Sequence, residues 1–275
     1  MWAVNSVLDK VFDGLFLPLG LIGPVLAMVV ISFLTGLLML VVFRWTSNQD
    51  GIRRTKTLIK AHLLEIRLYK DNLGQSLKAQ GRVLAANVRY IAHALRPMLV
   101  MIVPVMLILF QLNLRFGVRA LTPGESALLK VRFTDTTKPE EMDITLQVPP
   151  GVVLETPPIH IAETREIDWR LSAESSGRYP LLFRSGRTEF LFPLVVGPDR
   201  LAKVPVVKPG RFFLDQVAYP GEAPVPRGTP VASVEIVYPS QKLRLFGLNI
   251  HWLIAFFGLS IFFGFAFKGV MKVDI

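Results

Sequence analysis

Three stretches of the chain contain no Lys, Arg, Asp or Glu: Gly14 to Phe43, Pro97 to Leu114 and Phe246 to Phe267, of thirty, eighteen and twenty-two residues. At a helical rise of 1.5 Å per residue the shortest covers roughly 27 Å, close to the thickness of a hydrocarbon core, and the longest has to tilt, kink or protrude. Backbone polar groups inside lipid must be satisfied within their own segment, so each run is expected to be a helix. The predicted fold class is an α-helical membrane protein with three transmembrane helices.

Charge orients these helices. Arg44 to Arg96 holds eleven Lys and Arg against three acids, Asp50, Glu65 and Asp71, whereas Phe116 to Leu245 holds sixteen basic and fifteen acidic residues. Short loops rich in Lys and Arg stay on the cytoplasmic side, and long balanced domains cross largely regardless of charge. The first loop is therefore placed inside and the second domain outside, with the N-terminus out and the C-terminus in. Lys268 and Lys272 against Asp274 in the tail agree with that. A cleaved signal peptide over Gly14 to Phe43 is the alternative; the length of the run, its missing basic leader and the basic segment after it argue against it.

Half of the residues are apolar and the mean hydropathy is +0.45, as expected of a membrane protein. The net charge of +10 resides mostly in the cytoplasmic loop, where orientation and attraction to anionic headgroups account for it, so no specific nucleic-acid partner is expected. The absence of cysteine excludes disulfides, thiolate metal sites and a thiol nucleophile.

Residues 1–13 read as an outer interfacial amphipathic helix. Val4, Val7, Leu8, Val11, Phe12 and Leu15 share one face, Asn5, Ser6, Asp9, Lys10 and Asp13 the other, and Trp2 is an interfacial anchor; a frayed tail is the alternative. The first span is placed at 14–43, with Pro18 and Pro24 at the turn into it. Residues 44–96 form a basic helical hairpin: Ile52, Ile59, Ile66 and Leu73, with Leu63 beside them, make one apolar stripe, Leu77, Leu84, Val88, Ile91 and Leu95 a second, and Asp71 to Gly74 the reversal. The second span is 97–115, kinked at Pro104, and the third 246–267, where Gly258 and Gly264 permit close helix approach; 268–275 is a cytoplasmic tail.

Between the second and third spans, residues 116–245 carry alternating stretches at Leu128 to Phe133, Met142 to Val148, Ile167 to Leu171 and Glu189 to Val196. Turn clusters at Pro149-Pro150-Gly151, Glu174 to Gly177 and Arg184 to Gly186 separate them. The prediction is an extracytoplasmic all-β domain, an immunoglobulin-like sandwich over roughly Gly124 to Gly197. The proline-rich return from Pro198, with an extended stretch near Val231 to Tyr238, either adds strands or runs over the surface back to the membrane.

No catalytic constellation is visible, and no enzyme activity, metal or cofactor is expected. His62 and Glu65 share a helical turn without the second histidine of a zinc helix, and Glu140-Glu141-Met142-Asp143 is at most a weak calcium candidate. Polar residues inside the spans remain: Ser32 and Thr35 share a face near the centre of the first, Gln111 and Asn113 lie near the outer end of the second, and Asn249 and His251 near that of the third. In lipid such groups bond across helices or face a water-filled cavity, so they are either helix glue or the lining of a groove.

An outer amphipathic helix, a span into the cytoplasm, a charged hairpin, a return span and a final span ending inside resemble the YidC/Oxa insertase superfamily. The layout is most similar to the three-span archaeal YidC-like proteins and the insertase-type subunits of the ER membrane. The similarity is carried by Leu15-Phe16-Leu17-Pro18-Leu19, Phe43 to Gln49, Ile59 to Asp71 and Leu95-Arg96-Pro97-Met98-Leu99, and with the third span covers about half the chain. The resemblance implies an insertase or insertion chaperone of a bacterial-type plasma membrane, drawing a hydrophilic client segment into a thinned bilayer through a polar groove. Ser32, Thr35, Gln111 and Asn113 are the candidate groove residues, and Arg44 and Arg96 stand at its cytoplasmic mouth. The implied partners are the lipid bilayer, hydrophobic substrate proteins or other membrane subunits, and a cytoplasmic partner at the hairpin. Two departures stand out. The family often places an arginine inside the first span, where this chain reads Ser32-Phe33-Leu34-Thr35-Gly36, and the large β domain is no part of the minimal pattern. The competing expectation is a non-catalytic scaffold whose β-sandwich and hairpin recruit partners into a membrane complex.

Overall fold

The structure, a computed structural model, describes every residue except 1, 70–71, 138–142, 200, 246, 272 and 274–275, and the side chains of 2–5 and 73 are likewise not described. Trp2 and Val4 as side chains, the Asp71 reversal, the Glu140 to Met142 acids, Lys272 and Asp274 therefore lie outside what is described. The chain divides into two compact units, one of residues 1–27 and 107–252, the other of 28–106 and 253–275.

The first unit begins with helix α1 (Trp2–Leu19), which runs six residues past the end of the amphipathic segment read from the sequence. The thirty-residue apolar run is broken at residues 20–23. Gly23 takes φ +86° and Pro24 occupies the first position of helix α2 (Pro24–Thr46), where its missing N–H costs nothing and its ring disfavours a helical residue before it. Along α1, Asp9, Phe16 and Leu19 are buried while Val7, Val11 and Leu17 are exposed. The acidic side of the helix is its packed side: Lys203 Nζ lies 2.6 Å from Asp9 Oδ2, Arg115 pairs with Asp13, and the Arg115 guanidinium covers the Phe16 ring at 4.5 Å. Phe16 also meets Phe116, with ring centroids 5.9 Å apart.

The rest of this unit is a two-sheet β domain. One antiparallel sheet has the order β3 (Val152–Leu154), β5 (Glu166–Ala173), β1 (Ser126–Phe133), β9 (Val231–Val237), β8 (Val207–Lys208), with β4 (Ile159–Ile161) also pairing β5. The other has the order β2 (Thr145–Gln147), β6 (Gly177–Ser185), β7 (Thr188–Val196). Alternate residues of both, Leu129, Val131, Trp169 and Leu171 from the first and Leu181, Phe183, Phe192 and Leu194 from the second, form one buried cluster, as a half-buried strand pattern requires. Tyr179 Oη donates to the Ser175 carbonyl at 2.9 Å. The proline-rich return does add strands, because β8 and β9 complete the larger sheet, with β9 lying beside β1; the domain therefore extends well beyond Gly197. Its two ends are stitched together: Val118 bridges Ser240, and the N–H of Gln241 reaches the carbonyl of Gly117 at 3.2 Å. A short helix α5 (Phe213–Ala218) lies between β8 and β9, and a hairpin of β10 (Leu243–Leu245) and β11 (Leu248–Ile250) closes the unit.

In the second unit, helix α3 (Gln49–Leu68) follows α2, and helix α4 (Leu73–Phe116) contains both the second hairpin arm and the second apolar run in forty-four unbroken residues. The helix continues through Pro97 and Pro104. Asn48 caps α3, its side chain accepting from Gly51 N at 2.9 Å, satisfying one of the donors that a helix start leaves open. Helix α6 (Trp252–Phe267) is shorter than the run that predicted it, because Leu248 to Ile250 are drawn into the β10–β11 hairpin around Gly247 at φ +82°. Two helices, α2 and α4 from Gly74 on, are long and apolar enough to cross a membrane; α6, at sixteen residues, is a shorter apolar helix.

The hairpin seam differs from the sequence reading on one arm. On α3, Ile52 is buried and Ile59 and Ile66 are half-buried, as the heptad stripe predicts, though Leu63 is exposed. On α4, Leu77, Leu84, Val88, Ile91 and Leu95 are exposed, and the buried positions are Ala79 and Ala86, with Val83 and Tyr90 half-buried. Small residues let two helix backbones approach closely, and a leucine stripe on the same arm is then turned to the opposite side. Arg82 Nη1 bonds Glu65 Oε2 across the arms at 3.0 Å.

Candidate functional site

The site is built on α2, α4 and α6 within the second unit. Ser32 and Gly36 are four residues apart on α2, as are Ser260 and Gly264 on α6, and small residues at this spacing allow intimate packing in lipid. A Cβ added to Gly36 would meet the Ser260 carbonyl at 2.8 Å and the Gly264 nitrogen at 3.3 Å. Phe33 packs edge-on against Phe263 and Phe267, with centroids 5.3 and 5.4 Å apart. A Cβ added at Gly258 or at Gly264 would meet nothing within 4 Å, so neither of the glycines read as approach points is itself crowded; the close approach is at Gly36, which faces the Gly264 backbone nitrogen.

Beside this tight pair lies a pocket of about 560 Å³, within the range of small-ligand sites. Met39 and Phe43 of α2, Met98 and Met101 of α4, and Phe256 and Phe265 of α6 are among its walls, and the polar side chains reaching it are Thr35, Tyr90 and Ser260. Unbranched, polarisable methionine adapts to apolar surfaces of varied shape. One end is closed by Leu40, Phe43, Ile52 and Val273, packed with Tyr90 and Met271, and Arg44 Nη1 donates to the Met271 carbonyl at 3.0 Å. The chemistry offered is dispersion and apolar burial with a few hydroxyls, not a hydrated polar channel.

Of the sequence candidates, Thr35 lines this pocket. Ser32 is not among its walls; it is fully buried, its Oγ without a hydrogen-bond partner. Gln111 and Asn113 belong to the other unit: Gln111 is buried with Nε2 unpartnered, and Asn113 packs on the backbone turn at Gly117. Neither unit by itself assembles the four into a polar groove. Arg44 ties down the segment after α6, and Arg96 is exposed on α4. His62 Nδ1 lies 3.2 Å from Glu65 Oε2, which also accepts from Arg82 Nη1 of the other arm at 3.0 Å, and Glu65 borders an open pocket of about 460 Å³ with Leu64, Leu68 and Tyr69. Among the described residues no group of three metal-ligating side chains occurs. The methionines and the paired small-residue spacings were the readable signals for this pocket. Comparison with family models, curated proteins and solved structures returns no match.

Proposed function

We propose that the protein is an insertion chaperone of the YidC-like kind, holding an apolar helix of a client membrane protein in the pocket between α2, α4 and α6. The observation that carries this reading is the methionine- and phenylalanine-lined pocket of about 560 Å³ between two helices of membrane-spanning length, α2 and α4, and the shorter apolar α6. Burial of a client side chain there contributes about 25 cal/mol per Å² of apolar area, with no nucleotide needed. In this reading α6 is the third span. Its sixteen residues cover about 24 Å, so the bilayer beside it is thinned, which shortens the path over which a client's polar flank is desolvated. The protein lies in a plasma membrane with its hairpin in the cytoplasm and its β domain outside, on the charge asymmetry given above.

The immunoglobulin-like reading of the β domain is supported by its ladders. The order β9-β1-β5-β3 matches the A-B-E-D sheet and β2-β6-β7 the C-F-G sheet, with the first strand supplied from the C-terminal side of the domain. Tyr179, near the start of the F-equivalent β6, reaches the backbone four residues upstream as a tyrosine corner does.

The scaffold reading draws on the exposed leucines of the hairpin, which suit a resident partner as well as a passing client. A photo-crosslinking residue at Met98 during synthesis of small membrane proteins, combined with depletion, separates the two. Adducts to nascent apolar segments together with failed insertion on depletion support the chaperone. Adducts to one fixed subunit, with insertion intact, sink it.

A further inference from the structure

The pocket between α2, α4 and α6 covers the depth of one leaflet. Its walls run from Thr35 to Phe43 on α2 and from Phe256 to Phe265 on α6, about 12 and 14 Å of helix, against about 15 Å for half of a hydrocarbon core. Phe33 meets Phe263 and Arg44 reaches Met271, so α2 and α6 run in the same direction and Phe43 and Phe265 share one end. The α4 wall extends farther at that end, to Tyr90, which packs with Phe43 and Ile52. Two ammonium groups mark it. Lys56 Nζ stands 5.9 Å from the centroid of the Tyr90 ring and Lys268 Nζ 5.0 Å from that of Phe265, and both rings are pocket walls. Arg44, next after Phe43 in the chain and bonded to the Met271 carbonyl, adds a third cation. Basic pockets between apolar helices on the cytoplasmic side suit anionic headgroups. We propose that the pocket binds an anionic phospholipid of the cytoplasmic leaflet, its phosphate at the Lys56 and Lys268 end and one acyl chain running toward Thr35 and Ser260.

The alternatives fit less well. Water needs two to four polar partners at each position, and the walls offer the hydroxyls of Thr35, Tyr90 and Ser260 among apolar side chains. A lipid chain needs none, and it has a way in, because Leu95 and Met98 of α4 and Ile261 and Phe265 of α6 are exposed walls. A zwitterionic lipid supplies the same chain but brings its own cation to the lysines. The second unit holds eleven Lys and Arg in the hairpin and two after α6, against Asp50, Glu65, Asp71 and Asp274, a balance that favours net negative charge in the ligand. Lysine stems lying along aromatic walls keep the ammonium groups at the level where headgroups begin. The inference shares with the chaperone reading the placement of these helices in the membrane and of the hairpin in the cytoplasm. It goes beyond that reading in naming what fills the pocket when no client is bound.

The test uses the full chain in phosphatidylcholine nanodiscs containing a photoactivatable phosphatidylglycerol, with a diazirine near the end of one acyl chain. After illumination, peptide mapping is expected to place the adducts at Thr35 and Ser260, and unlabelled phosphatidylglycerol to compete at least tenfold better than phosphatidylcholine or oleate. Lys56→Gln with Lys268→Gln is expected to abolish that preference, and Ala94→Trp, which fills the pocket from its α4 wall, to abolish the adducts. Adducts spread evenly over the exposed face of α4, as at Ile102 and Val103, overturn the proposal. Equal competition by phosphatidylcholine, stronger competition by oleate, or an unchanged result in both variants does the same. The adduct map and the competition are read on the unaltered chain, so they decide the matter even where a variant fails to fold. Crosslinking at Met98 to nascent segments is measured separately. Client adducts without pocket lipid remove this inference alone, and pocket lipid without client adducts removes the chaperone reading alone.

Discussion

Lys203 Nζ lies 2.6 Å from Asp9 Oδ2, joining the β domain to the first helix across 194 positions of the chain. Both side chains are largely withdrawn from solvent, and Asp9 Oδ1 has no hydrogen-bond partner. Breaking such a pair from one side leaves a desolvated charge, while removing both partners is far cheaper. Lys203→Met is therefore expected to lower stability by about 2 kcal/mol, and the double variant Asp9→Leu with Lys203→Met to recover most of it. Thermal unfolding in mild detergent checks this; an additive double variant refutes the clamp.

Gly36→Leu forces α2 away from the Ser260 backbone, which cannot yield as a side chain can. Overpacking of this kind costs about 1–3 kcal/mol, and here it reshapes the pocket wall. Reduced thermal stability together with loss of Met98 crosslinks is expected, whereas Gly258→Leu, at a position with open space, serves as the tolerant control.

Glu125 accepts from both guanidinium nitrogens of Arg119, at 2.7 and 2.8 Å, and from the backbone and hydroxyl of Thr122. The hydrogen bonds from Arg119, and after them those from Thr122, hold its carboxyl down to about 2. A depressed folded-state value contributes stability above the unfolded carboxylate range, and that contribution is lost as pH falls from about 4.5 towards 2. Glu125→Gln is expected to flatten this acid limb by about 1 kcal/mol, allowing for solvent screening of a partly exposed pair. Melting temperature followed from pH 7 to pH 2 reads the difference.

Tyr179→Phe removes the donor to the Ser175 carbonyl while keeping the ring against Gly151 and Gly177. A loss of about 1 kcal/mol is expected, and Tyr179→Ala, which also empties the ring's place, should cost clearly more. Equal losses in the two variants would show that the hydroxyl is irrelevant.

Much of the plan was legible in the residues. Uncharged length marked α2 and the apolar half of α4, alternation marked β1, and short apolar-rich runs between turn clusters marked β5 and β7, because span length and strand period are local properties. The differences turn on context. The Leu77 to Leu95 stripe has a helical period, but a period says only that residues share a face, not which neighbour covers it. Ala79 and Ala86 carried the seam without registering as an apolar stripe. By length the thirty-residue first run reads as one element, yet Gly23 and Pro24 divide it by backbone preference, a local signal that length obscures. Polarity alone groups Gln111 and Asn113 with Ser32 and Thr35, and polarity carries no information about which unit each residue belongs to.

The sequence by itself determined that this protein has long helices suited to lipid, a cationic hairpin and a balanced β domain, since charge, length and alternation need no partner to be read. Only the tertiary structure decided that the acids of α1 face Lys203 and Arg115, that β9 lies beside β1, and that methionines wall a pocket next to Gly36. Each of these depends on surfaces brought together from distant parts of the chain, and their free energy exists only once the fold has removed them from water.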